Sequence, residues 1–256
     1  MVQVVVVTNF LGSSRASQEA FKTANLLKTL NVNALIYGEV GTGKLTLARY
    51  ILPNAALYAT ENFETLLEAL TSQTELIITQ LEKTPNLQRL LDAISESTAR
   101  VIVVSGEGVD QELLQDSFSV RIHLPPLRER MEDILPLVEL FHDEANRIFG
   151  EQHHFSEPTY KPDLSENAIS LRKQVFLHYQ FSNITEENIL EIMEQFLEDK
   201  LGSKNDYREF LYLYEVPLIR VGLRKFKSQL KLSDKLGLNR NTLRKKIVEH
   251  SHFGLE

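Results

Sequence analysis

The first half of the chain alternates short, continuously apolar segments with segments whose apolar residues recur at helical spacing. The apolar segments are residues 2–8, 33–37, 76–79, 100–105 and 120–124. Runs that are apolar at every position are typical of strands buried on both faces, as in a parallel sheet covered by helices. The alternation therefore predicts an α/β domain built on a mainly parallel sheet.

Strand signals stop after Pro126, and the remainder of the chain is predicted to be helical. An amphipathic segment at 132–149 is followed by a polar loop and by two further helices, at about 165–178 and 185–199. Residues 201–206 have linker composition, and the segment beyond them is helical and basic. We therefore predict three units: an α/β domain at 1–142, a small helical lid at 143–200, and an all-α domain at 207–256.

Composition excludes several classes of protein. The 256 residues include no cysteine, which rules out disulfides and thiolate metal sites. The apolar opening segment is too short for a signal peptide, and no run approaches the roughly 20 apolar residues of a membrane span. The adjacent His153 and His154 have no third ligand at metal-binding spacing, so no metal site is predicted. We expect a cytoplasmic protein with no membrane partner.

Positive charge is concentrated near the end of the chain. Residues 218–250 contain ten Lys or Arg and two Asp or Glu, a local charge of +8 in a chain whose net charge is -7, which leaves -15 elsewhere. Basic charge on a short helical segment is the usual electrostatic signature of a protein that binds a phosphate backbone. Apolar residues recur there at helical intervals, so the segment can pack: Leu232, Leu236, Leu238, Leu243 and Ile247. These features predict double-stranded DNA as a partner.

Gly237 separates two helical stretches of the basic segment, as in a helix-turn-helix, where the short turn favours a residue that tolerates positive φ. Asn239 is placed to cap the second helix. That helix would present polar and basic side chains to the major groove, the early ones to base edges and the later ones to phosphates. They are Arg240, Asn241, Thr242, Arg244, Lys245 and Lys246.

A phosphate-binding loop is predicted at the end of the second apolar segment. Residues 38–44 fit G-x-x-x-x-G-K between a strand and a helix, where backbone N–H groups and a lysine bind phosphates. Leu45 replaces the hydroxyl residue that ordinarily contacts Mg²⁺, so the need for that ion stays open. The predicted nucleotide-binding residues are Gly38, Glu39, Gly41, Thr42, Gly43, Lys44 and Leu45.

Several motifs together resemble the AAA+ module of NtrC-type bacterial enhancer-binding proteins. The loop sequence GEVGTGKL resembles that family's phosphate loop, and LPPLRER at 124–130 followed by EDI at 132–134 is diagnostic of it. The resemblance continues upstream at GSS, residues 12–14, and weaker matches are SENA at 165–168 and residues 179–184. The resemblance spans about residues 10–199 and implies a P-loop AAA+-like domain with a helical lid that binds ATP or ADP.

The basic segment resembles the Fis-type helix-turn-helix that ends proteins of the same family. The match covers about residues 210–250 and includes PLI at 217–219 and LGLNRNTLRKK at 236–246. It implies a homodimer formed through a helix at about 209–227. The positions matching DNA contacts are Asn239, Arg240, Thr242, Arg244 and Lys245.

The chain differs from this family at the residues that the family uses to hydrolyse ATP. Hydrolysis uses an acidic pair at a strand end to hold Mg²⁺ and polarise water, but the strand at 75–79 ends in Thr79 and Gln80. Glu82 lies close in sequence and is expected to face differently. Three other residues expected from the resemblance are also missing. Arg121 is a poor candidate for the arginine finger, and Thr185 stands where the lid arginine is expected. Gly106 or Glu107 stands where an asparagine is expected at the end of a strand.

No GAFTGA-like loop, the family's element for engaging sigma-54 RNA polymerase, occurs in the chain. We interpret the sequence as a DNA-binding transcription regulator with a degenerate AAA+ module, no catalytic set and no ATPase activity. Two alternatives remain open. The chain could be a working ATPase that activates sigma-54 RNA polymerase, or an inactive partner inserted into assemblies of a related AAA+ activator.

Overall fold

The computed structural model describes residues 10, 12–109, 114, 117–150, 154–156, 160–182 and 184–255. The chain divides into two compact units, Met1–Asn183 and Ile184–Glu256. The strand predicted at residues 2–8 and the side chain of His153 lie outside the described residues. The finer division into three parts stays a prediction.

A five-stranded sheet forms the centre of the first unit. Its strands are β1 (Ala34–Tyr37), β2 (Ala56–Ala59), β3 (Glu75–Thr79), β4 (Arg100–Ser105) and β5 (Val120–His123). The spatial order is β2-β3-β4-β1-β5, and every neighbouring pair is parallel. The predicted parallel sheet is confirmed. The edge strand β2 was missed because it is a run of only four residues, none of them fully buried.

Both faces of the sheet are covered, which explains the continuously apolar strands. Neighbouring residues of β1 enter different cores, Ile36 on one face and Leu35 on the other. Residues of the first two helices pack against the face that carries Ile36, and residues of the next two pack against the opposite face. These helices are α1 (Arg15–Thr29), α2 (Lys44–Ile51), α3 (Phe63–Ser72) and α4 (Leu87–Glu96).

Two further helices of the first unit enclose a separate apolar core. They are α5 (Ile134–Phe149) and α6 (Ala168–Ser182). Val138 and Phe141 of α5 pack with Leu171 and Val175 of α6 in that core. Two short 3₁₀ turns, Leu127–Glu129 and Met131–Asp133, lead into α5 from the LPPLRER segment.

The described part of the second unit contains five α-helices and no strand. They are α7 (Glu186–Glu198), α8 (Asp206–Phe210), α9 (Tyr212–Phe226), α10 (Gln229–Leu236) and α11 (Arg240–Glu249). Val216, Ile219, Leu232, Leu243 and Leu255 form its buried core. The helix predicted at 209–227 is divided between α8 and α9 at Leu211. Within the described residues, no helix is both long and apolar enough to span a membrane.

Candidate functional site

The loop between β1 and α2 has the backbone geometry of a phosphate cradle. Gly38, Gly41 and Gly43 have φ angles of 146°, 78° and 98°, a region that strains any residue with a Cβ atom. The loop ends at the N-terminus of α2, where unpaired N–H groups and the helix dipole favour an anion. The sequence pattern therefore corresponds to a loop that can hold phosphate groups.

Close backbone packing fixes this loop on two sides. A Cβ atom on Gly38 would lie 2.3 Å from the carbonyl oxygen of Leu124, and one on Gly41 would lie 2.1 Å from that of Glu166. The N–H of Ala168 donates to the Gly41 carbonyl at 3.1 Å. The loop is thus held between the segment after β5 and the start of α6, and glycine is required for contact as well as for conformation.

Lys44 is buried, and its ammonium group is bonded to the loop itself. The Nζ atom donates to the carbonyl oxygen of Gly38 at 2.6 Å and to that of Glu39. Burial lowers the pKa of Lys44, while the negative charges of Glu82 and Glu107 act in the opposite direction. A desolvated cation beside a ring of backbone donors is suited to binding phosphate oxygens.

Glu39 connects the loop to the LPPLRER segment and to the residue that precedes α6. Its carboxylate accepts hydrogen bonds from both terminal nitrogens of Arg128 and from Nδ2 of Asn167, which lower its pKa to about 2. Asn167 also donates to the carbonyl of Val40 at 2.8 Å and accepts from the N–H of Leu127 at 2.7 Å. The Asn167 side chain therefore joins its own SENA segment to the phosphate loop and to the LPPLRER segment. The sequence had linked these three segments only by resemblance.

A buried network around Asp133 holds a second group of these motifs together. Its carboxylate accepts from the backbone N–H groups of Ser13 and Ser14, at 2.5 and 2.6 Å, and from the Ser14 and Ser17 hydroxyls at 2.9 and 2.6 Å. Arg130 lies 3.4 Å from the same carboxylate and donates to the Thr42 carbonyl at 3.0 Å. Burial lowers the pKa of Arg130, and the charge of Asp133 opposes this shift.

A cavity of about 870 Å³ opens beside the loop. Residues 40–46 form one wall, and the ends of β3 and β4 contribute Thr79, Gln80, Ser105 and Gly106. Apolar side chains of α5 and α6, including Leu137, Phe141 and Ile169, complete it. Ligand sites run to about 300–1,000 Å³, so the cavity is large enough for a ligand of nucleotide size.

The positions that would ordinarily hold a metal ion or activate water carry no acid. Thr79 donates its hydroxyl to the Tyr58 carbonyl at 3.3 Å, and Leu45 places an alkyl side chain in the cavity. Arg121 is exposed on β5 and is not part of the cavity wall, while Thr185 caps α7 in the second unit.

Glu82 corrects one prediction, because its side chain does reach the cavity. Gln80 adopts a left-handed conformation with φ 60°, and the 3₁₀ turn Leu81–Lys83 follows. This turn reverses the alternation expected of a continuing strand. The carboxylate then accepts the Gly106 N–H at 2.7 Å, across the ends of β3 and β4.

In the second unit, the predicted turn and cap are confirmed. Gly237 ends α10 with φ 63°, and the Asn239 side chain accepts the N–H of Asn241 at 2.9 Å at the start of α11. Leu243 is buried in the core and anchors α11 there. The residues of its N-cap and first two turns that are exposed to solvent are Asn239, Arg240, Asn241, Thr242, Arg244 and Lys245.

Lys246 differs from that exposed group, contrary to its prediction as a solvent-facing cation of the helix. It forms an ion pair with Glu215 of α9, whose other oxygen lies 3.0 Å from Nε2 of His250. Burial acts to raise the pKa of Glu215, but the hydrogen bonds from Lys246 and His250 outweigh it and lower that pKa. These contacts fasten α11 to α9.

The parallel sheet and the glycine loop with its buried lysine define an α/β domain with a phosphate-binding loop. Among solved structures, the chain is similar to NtrX from Brucella abortus. In its complex with ADP the TM-score is 0.59 at 17% identity over 94% of this chain and 69% of that chain, and in its complex with ATP the TM-score is 0.56. At this identity the likeness shows the fold alone.

A relative with an assigned function is the DNA-binding transcriptional regulator NtrC of Rhizobium meliloti (strain 1021). It is 27% identical over 203 residues, which cover 60% of this chain and 42% of the relative. The match therefore spans about two fifths of the length of that protein. No family model matches the chain.

Proposed function

We propose that the chain is a DNA-binding transcription regulator whose first unit binds ATP or ADP without hydrolysing it at an appreciable rate. The observation that carries the nucleotide part is the glycine loop with buried Lys44 beside a cavity of about 870 Å³. The solved NtrX structures are complexes with ADP and with ATP, which supports the same ligands here.

Three groups missing from the cavity support binding without turnover. Thr79 and Gln80 stand where an acidic pair would hold Mg²⁺ and polarise water, and Gly106 or Glu107 stands where an asparagine is expected. Removing a single group of this kind costs orders of magnitude in rate. Their joint absence favours a nucleotide that acts as a ligand.

The DNA-binding part rests on the exposed residues at the start of α11. Arg240, Arg244 and Lys245 are exposed beside Asn239 and Thr242, and Asn239 caps the helix so that its first turn is fixed. This placement suits a recognition helix, with Arg240 near a base edge and the later cations near phosphates. The relative NtrC is described as a DNA-binding transcriptional regulator, which agrees with this assignment.

A homodimer formed through α9 supports the same function. Tyr214, Leu218 and Val221 are exposed at spacings of four and three residues, which places them along one side of α9. An apolar stripe of this kind on an otherwise charged helix suits a partner helix. Two copies paired there would present two recognition helices to a two-fold symmetric operator.

We expect Arg240→Ala to weaken binding to the cognate operator by about 1–3 kcal/mol and to relax its specificity, because a bidentate base contact is lost. Lys245→Ala should weaken all duplexes alike and reduce the salt slope by about one unit, as one phosphate contact is lost. Fluorescence anisotropy with operator and scrambled duplexes at several salt concentrations measures both effects. Lys22→Ala on α1, an exposed lysine of the first unit, is the matched control. Unchanged affinity in both variants would contradict the role of α11.

We expect Lys44→Ala to remove most ATP and ADP binding, because the buried cation beside the loop is lost. Isothermal titration calorimetry measures the affinities. Lys28→Ala serves as the control, because Lys28 is a cation on α1 that is not part of the cavity wall. Steady-state phosphate release tests the second half of the proposal. Turnover that rises with protein concentration and disappears in Lys44→Ala would instead identify an ATP-hydrolysing activator.

A further inference from the structure

Glu82 brings a carboxylate to the cavity from an unusual position. The chain leaves β3 at Thr79, turns through the left-handed Gln80, and directs Glu82 back over the ends of β3 and β4. Its Oε2 atom accepts the Gly106 N–H at 2.7 Å and lies 3.5 Å from the Ser105 hydroxyl. The backbone of β4 therefore holds the carboxylate at the wall of the cavity.

Glycine at position 106 leaves the room that this carboxylate occupies. A Cβ atom on Gly106 would lie 3.1 Å from both Cδ and Oε1 of Glu82, tighter than an ordinary contact. A side chain at position 106, one of the two positions where the resemblance expects an asparagine, would therefore press on the carboxylate in its present position. Glycine leaves Glu82 free to keep its contact with the Gly106 N–H.

The charge of Glu82 acts on the same space as a bound phosphate chain. Glu82 is the carboxylate with the strongest electrostatic effect on Lys44, the cation of the phosphate loop. A triphosphate that reaches Lys44 brings further negative charge towards this exposed carboxylate, and like charges repel. A divalent cation placed between the two anions would convert this repulsion into attraction.

Mg²⁺ is commonly held by one or two carboxylates together with phosphate oxygens and water. We propose that Glu82 is a metal-ligating residue that makes the binding of a nucleoside triphosphate dependent on a divalent cation. Glu82 would supply one oxygen ligand to the cation, and the phosphates and water would supply the others. This inference rests on the nucleotide site proposed above.

The metal and the triphosphate bind together in this arrangement. Among the described residues, no group of three or more His, Asp or Glu side chains could hold a metal ion alone. Glu107, the next carboxylate acting on Lys44, is exposed and is not part of the cavity wall. The phosphates must supply the remaining ligands, so the cation without nucleotide should bind weakly.

The test is a titration of the full chain with fluorescent N-methylanthraniloyl ATP and ADP, in Mg²⁺ and in EDTA. We expect removal of Mg²⁺ to weaken ATP binding by about tenfold or more in the parent protein. In Glu82→Gln, which keeps an acceptor for the Gly106 N–H, the Mg²⁺ effect should fall to roughly twofold because the repulsion is gone. ADP should respond less in both proteins. Glu107→Gln is the matched control and should behave as the parent does.

A second measurement needs no variant. Mn²⁺ with the β,γ-methylene analogue of ATP is bound to parent protein labelled with ¹³C-glutamate, and electron-nuclear double resonance is recorded. A ¹³C coupling to the Mn²⁺ ion is expected, since the carboxylate is a direct ligand. Absence of that coupling, or an equal Mg²⁺ effect in the parent and Glu82→Gln, overturns the role of Glu82 while the nucleotide site stands. Failure of the parent to bind either nucleotide overturns both.

Discussion

Asp133→Ala is expected to lower the free energy of unfolding of the first unit by about 3–5 kcal/mol, the largest effect of any single change considered for this chain. The carboxylate is 1% exposed and has five hydrogen-bonding partners, among them two backbone N–H groups and Arg130. Its removal leaves the buried guanidinium of Arg130 without an anion and the N–H groups of Ser13 and Ser14 without their acceptor. Both consequences carry the full cost of desolvation.

Urea unfolding followed by circular dichroism measures this loss, and hydrogen-exchange mass spectrometry assigns it to the first unit. Glu64→Ala is the control, because Glu64 also pairs with an arginine, Arg89, but both side chains are exposed. That pair should contribute little, since solvent screens it. Equal stability of Asp133→Ala and Glu64→Ala would contradict the structural importance of the network.

Gly41→Ala should destabilise the first unit by about 2–5 kcal/mol and sharply reduce nucleotide binding. The conformation contributes one part, because φ is 78°. The contact contributes the other, because the added Cβ would lie 2.1 Å from the backbone oxygen of Glu166, which cannot move without displacing the start of α6. The phosphate loop and the start of α6 would therefore move apart.

Gly150→Ala provides a control that isolates the contact. Gly150 has a φ of 71°, close to that of Gly41, lies in the same unit, and has no neighbouring atom within 4 Å of an added Cβ. It should lose only the conformational part, about 1–2 kcal/mol, and should keep its nucleotide affinity. Equal losses in the two variants, by thermal unfolding and by ADP titration, would show that the contact with Glu166 does not matter.

The main features of the sheet and the loop were predictable because they depend on local pattern. Continuous apolar runs such as 100–105 indicate a strand buried on both faces, and the two faces of β1 do enter different cores. The glycines at 38, 41 and 43 are meaningful in sequence because few other residues tolerate their φ angles. Gly237 was predictable for the same reason, and Asn239 because its side-chain oxygen can cap a helix.

The rest depended on events that local pattern does not encode. Glu82 reaches the cavity because Gln80 adopts φ 60°. Residues other than glycine rarely adopt a positive φ, so the sequence offers no reason to expect it. The Asp133 network joins residues more than 100 positions apart. Lys246 was expected to face solvent with its neighbours, but the acid that holds it, Glu215, lies on a different helix.

The ion pairs between α11 and α9 would affect which spacings between operator half-sites the protein accepts. In a dimer paired through α9, Glu215 with Lys246 and His250 would fix each reading helix to the pairing axis. The gap between half-sites would then be set by protein geometry rather than adjusted to each sequence. Inserting or deleting one base pair between half-sites should be tolerated poorly, and loosening Glu215 should make the protein more permissive of spacing.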